Sequence, residues 1–113
     1  MNSVINSDNK MLMDFVEVYA PKAKVRMVKA RAARVMRVPR KDYELIAELI
    51  TTALETHKEL SLNRLIDLGV KKFPERQSGQ LTWLIIQVKN DLEFHELIDV
   101  FIDEARNQYI KLR

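Results

Sequence analysis

A chain of 113 residues, with 19 Lys+Arg against 16 Asp+Glu and a net charge of +3, has room for one domain and an arm, not for two domains around a cleft. The absence of cysteine excludes a disulfide framework, a thiolate nucleophile and cysteine-ligated zinc; 47% hydrophobic residues with 2 Gly and 3 Pro exclude a fibrous or largely disordered chain. The longest uncharged apolar run, Leu81 to Val88, is far short of the ~20 residues of a membrane span.

Met1 to Lys10 is polar and carries no apolar core followed by a small-residue cleavage site, so a cytoplasmic protein is expected. Charge is unevenly spread. Residues 1–41 hold ten basic side chains and the acids Asp8, Asp14 and Glu17, net +7; residues 42–113 hold nine basic and thirteen acidic ones, net −4. Such asymmetry marks either an arm for nucleic acid or another anionic surface, or a helix with a well-solvated face.

In chain order, Met11, Leu12, Phe15, Val16 and Tyr19 fall on one face of a short helix that ends at Pro21. Ten residues do not hold a helix in water, so this stripe must pack on the main domain or on another chain. After Pro21, Val25, Val28, Ala32 and Val35 recur at helical intervals, ringed by Lys22, Arg26, Lys29, Arg34 and Arg37. The stretch KAKVRMVK also alternates like a strand. Pro39 closes the segment.

Beyond it, Asp42 is expected to cap a helix of about 15 residues whose buried face is Ile46, Leu49, Ile50, Ala53 and His57. Glu59 to Leu62 reads as a brief extended link. Asn63 then caps a second helix with Leu65, Ile66, Val70 and Phe73 inward, stopped by Pro74. Ser78 is the cap expected for a third helix, Gly79 to His95, with Leu81, Leu84, Ile85, Val88 and Leu92 as its buried stripe.

The last residues change period from helical to alternating. A hairpin that sets Phe101 opposite Tyr109 also sets Val100 opposite Ile110, Ile98 opposite Leu112 and Asp99 opposite Lys111. One register makes an aromatic pair, two aliphatic pairs and an ion pair coherent.

The order helix, short strand, helix, helix, hairpin over 42–113 resembles the winged helix-turn-helix superfamily. SLNRLIDLGVKKFPE looks like its short strand and second helix, and SGQLTWLIIQVKNDLEFHELI like its third helix running into the wing. The resemblance lies in pattern, not in a diagnostic signature. It implies a mainly α fold with a small antiparallel β-hairpin, here preceded by an N-terminal helical basic segment. It also implies a small transcription regulator that lays its third helix in the major groove of duplex DNA.

Placed at intervals of about 100°, the outer face of that helix carries Gln80, Thr82, Trp83, Ile86, Gln87, Asn90, Glu93 and Phe94. Gln80, Thr82, Gln87 and Asn90 are the base-reading candidates, since amides pair with adenine edges. No Arg stands there to read guanine, and Glu93 opposes phosphate. Candidate phosphate contacts are Lys22, Lys24, Arg26, Lys29, Arg31, Arg34 and Arg37 in the arm, with Arg64, Lys71, Lys72, Arg76 and Arg106 beyond it. Phe15, Trp83, Ile86 and Phe94 instead suit a protein interface, and a homodimer or assembly module without DNA contact is the alternative.

Chemistry-bearing patterns are missing. His57 and His95 each sit near a helix C-terminus, where an imidazole is favourable without any reaction, and no metal-ligand spacing accompanies them. There is no G-x-S-x-G, P-loop or G-x-G-x-x-G. Neither an enzyme, a cofactor, a metal nor a membrane partner is expected.

Overall fold

The computed structural model describes residues 14–21 and 35–113. Within them the chain forms three helices and two small antiparallel sheets. In order these are β1 (Phe15–Tyr19), β2 (Val35–Pro39), α1 (Arg40–His57), β3 (Glu59–Ser61), α2 (Leu62–Lys72), α3 (Ser78–Phe94), β4 (Ile98–Ile102) and β5 (Gln108–Leu112).

The N-terminal region departs from the helical expectation. Phe15 to Tyr19 is a strand, and it pairs with Val35 to Pro39, although the sequence spacing places Val35 in a helical seam. Val16, Val18, Met36 and Val38 decide this. They alternate with polar or edge residues, the register sets Val16 opposite Val38 and Val18 opposite Met36, and Val18 and Val38 are buried with the other two packed against the core. β-branched residues at period two bury well on a sheet once a partner strand is present. The helical seam at Val25, Val28 and Ala32, and the stripe residues Met11 and Leu12, lie outside the described residues.

α1 follows β2 without a spacer, so the cap position is Pro39 and not Asp42. Asp42 sits instead in the first turn, favourable beside the positive helix end. His57, expected on the buried face, is exposed, and Leu54 is buried there instead. Ser61, not Asn63, caps α2: its Oγ accepts the Arg64 backbone N–H at 3.1 Å. Ser78 is the first helical residue of α3 rather than its cap, which is Gln77.

All five predicted stripe residues of α3 are buried, and they meet Ile46, Leu49, Ile50 and Leu54 of α1 and Leu65 of α2 in one core. On α2 the inward position falls to Gly69, not to Val70, which is 37% exposed. A Cβ on Gly69 would come within 2.8 Å of Ile85 Cδ1 and 3.2 Å of Leu49 Cδ2, so the bare Cα is what lets α2 close on both other helices.

The second sheet has the order β3-β5-β4. Its terminal hairpin takes the expected register: Ile98 opposite Leu112, Asp99 opposite Lys111, Val100 opposite Ile110 and Phe101 opposite Tyr109. The two aromatic rings stack with centroids 5.8 Å apart. Ile98, Ile110 and Leu60 of β3 close the core beneath the helices. Among the described residues no helix is long and apolar enough to cross a membrane.

Candidate functional site

α3 divides into two halves with different surroundings. Its C-terminal half lies against β1 and α1. Asp91, only 2% exposed, accepts the Tyr19 backbone N–H at 2.9 Å through Oδ1 and the Tyr43 hydroxyl at 2.5 Å through Oδ2. His95 Nε2 stands 3.3 Å from Oδ1. The Tyr19 ring stacks on Phe94 at 5.0 Å, so the apolar Phe94 is covered by the chain's own N-terminal strand.

The half nearer the N-terminus of α3 is open. Trp83 is 40% exposed and Gln80 is exposed, while Thr82, Ile86 and Gln87 are half-buried, as is Asn90 in the C-terminal half. Beside this open half, Pro39, Asp42, Arg76, Gln80 and Trp83 line a pocket of about 200 Å3. Arg76 Nη1 and Asp42 Oδ1, both in its lining, are 3.2 Å apart.

The candidate phosphate contacts divide in the same way. Lys22, Lys24, Arg26, Lys29, Arg31 and Arg34 lie outside the described residues. Arg37 is exposed on β2, with Glu17 opposite it in the register, and Arg76 is paired with Asp42; both cations already face an acid. Arg64, Lys71 and Lys72 are exposed on α2 and have no ion-pair partner among the described residues. Arg106 is exposed at the turn of the terminal hairpin with φ 71°, a left-handed conformation that favours glycine. That turn is tied by Asp103, which accepts the Arg106 N–H at 2.9 Å and, through Oδ1, the Asn107 N–H at 2.8 Å. Phe15 is half-buried on β1.

Two buried polar side chains went unseen in the sequence. Asp91 lies seven residues after Leu84 and three after Val88, a spacing that sets it at the margin of the buried stripe. Lys89 follows Ile85 by four; it is 6% exposed and donates to Gln108 Oε1 of β5 at 2.5 Å. Burial lowers the Lys89 pKa below its ordinary 10.5, a shift that the negative Glu93 nearby opposes. Burial, then the hydrogen bond to Asp91 and its charge, pushes the Tyr43 hydroxyl above its ordinary 10.0. Tyr43 thus ties α1 to α3, and Lys89 ties α3 to β5.

Among the described residues no three His, Asp or Glu side chains gather where they could hold a metal ion. A family of unknown function (DUF6958) matches residues 22–109, from the cationic stretch through the helices into β5. The chain belongs to this family. No curated protein matches the DUF6958 chain, and neither does any solved structure.

Proposed function

We propose that the chain is a small winged-helix nucleic-acid-binding protein of transcription-regulator type that binds duplex DNA. The observation that carries this reading is the order α1-β3-α2-α3-β4-β5 with the short strand β3 next to the last strand, β5. In this reading α2 and α3 are the helix-turn-helix and the terminal hairpin is the wing. The outer face of α3 enters the major groove, and Gln80, Thr82, Gln87 and Asn90 meet base edges. Arg64, Lys71, Lys72 and Arg106 contact the backbone. Stronger attraction comes from the sequence between β1 and β2, where Lys22, Lys24, Arg26, Lys29, Arg31 and Arg34 occur without one acid. The protein then works in the cytoplasm, without catalysis.

Mobility-shift titration of the full chain against duplex DNA tests this. Replacing Arg31, Arg34 and Arg37 with Ala lowers affinity for every sequence alike, whereas Asn90→Ala lowers it only where its base is present. Undetectable affinity at moderate salt contradicts the reading.

One observation favours a second reading, an assembly module or homodimer: Trp83 is 40% exposed, three residues before the half-buried Ile86 on the same helix. Light scattering on Trp83→Ala separates the two, since an assembly surface loses mass and a DNA face does not.

A further inference from the structure

The pocket at the head of α3 has a composition that duplex binding does not call for. We propose that it binds a single nucleobase ring, stacked on Trp83 and held by its edge between Asp42, Arg76 and Gln80.

Three features select that chemistry. The first is the flat face. Trp83 lines the pocket and is 40% exposed, and every base has a π-face that stacks on an indole. The second is charge. The Arg76–Asp42 pair, 3.2 Å apart with side chains 32% and 25% exposed, brings one cation and one anion to the same wall. A free anion is repelled by Asp42 and a free cation by Arg76, so the pair favours a neutral polar ring. The third is the hydrogen-bond pattern. The bridge uses Asp42 Oδ1 and Arg76 Nη1. The second carboxylate oxygen and the other guanidinium nitrogens stand outside it, an acceptor beside donors. The Gln80 amide adds one more of each. Base edges carry donors and acceptors side by side, and carboxylate, guanidinium and amide groups are the side chains that read them.

Size agrees. A pocket of about 200 Å3 is smaller than the roughly 300–1,000 Å3 that holds a drug-sized ligand, and suits one fused ring with its sugar and phosphate left in solvent. The ring comes either from a free nucleotide or from a base unstacked from nucleic acid. The chemistry is the same for both, and it does not depend on the chain binding paired duplex.

Trp83 is the single tryptophan, so its fluorescence reports the pocket directly. The full chain is titrated with guanosine, adenosine, cytidine and uridine monophosphates to millimolar concentration. Parallel titrations use a duplex with one bulged base and the same duplex fully paired. Saturable quenching by a free nucleotide assigns the pocket to a soluble ligand. Quenching by the bulged duplex alone assigns it to a base of nucleic acid. In either case Arg76→Ala and Gln80→Ala each weaken binding roughly fivefold. Gln80 is exposed in the first turn of α3, so its variant keeps the test valid should Arg76→Ala fail to fold. Quenching by no free nucleotide, together with quenching by the bulged duplex no stronger than by the paired one, overturns the proposal, as does quenching that both variants leave unchanged. Mobility shift of the paired duplex is scored separately: a shift without quenching by any probe removes the pocket and leaves duplex binding standing.

Discussion

Tyr43 of α1 donates its hydroxyl to Asp91 Oδ2 of α3 at 2.5 Å, and the same carboxylate receives the Tyr19 N–H of β1. One buried acid therefore joins the N-terminal sheet, the first helix and the third. Removing it leaves a hydroxyl and a backbone N–H facing a void, and stranded buried donors are costly. Asp91→Ala is expected to lower stability by about 2–4 kcal/mol, a fall of roughly 10–25 °C in Tm by calorimetry. Tyr43→Phe, which strands only one lone pair of a carboxylate still held by Tyr19, costs less. Equal losses in the two variants would contradict the hub.

The two perturbed groups on either side of α3 predict opposite pH dependences. Tyr43 has a folded pKa above its ordinary 10.0. Above pH 10 the folded state therefore holds a proton that the unfolded chain has lost, and stability falls as pH rises. Lys89 has a folded pKa below its ordinary 10.5. Between that lowered value and pH 10.5 the unfolded chain binds more protons, so its contribution rises with pH. Urea unfolding across the alkaline range checks both signs: Tyr43→Phe flattens the fall above pH 10, and Lys89→Met flattens the rise below 10.5.

Gly69 presents a conflict between helix propensity and packing. Alanine gains about 1 kcal/mol over glycine inside a helix. Its methyl must displace Ile85, which is fully buried, and overpacking of this kind costs about 1–3 kcal/mol. Gly69→Ala is expected to lose about 1 kcal/mol net, and Gly69→Val more, by chemical denaturation. A stabilised Gly69→Ala would show that α2 has room to move.

What the sequence made legible follows from the range of the contacts. The α3 stripe from Leu81 to Leu92 and the pairing of Phe101 with Tyr109 are local patterns, set within one helix or one short hairpin, and both are seen in the structure. Val16 and Val38 are not local. They share a buried face only because β1 and β2 pair across an interval of some twenty residues, and over that distance a five-residue run reads equally well as helix. Asp91 was hidden for a related reason. A lone acid at the margin of an apolar stripe looks solvated until Tyr19 and Tyr43 arrive from other elements. The pocket beside Trp83 likewise forms from the end of β2, the start of α1, the α2–α3 link and the head of α3.

The central claim is that the cationic residues hold DNA by its phosphates, and the salt dependence of affinity measures this most directly. With five to eight phosphates engaged, a log–log plot of affinity for a duplex against salt is expected to fall with a slope of about −4 to −7. A slope near zero, or affinity too weak to follow at the lowest salt, would contradict it.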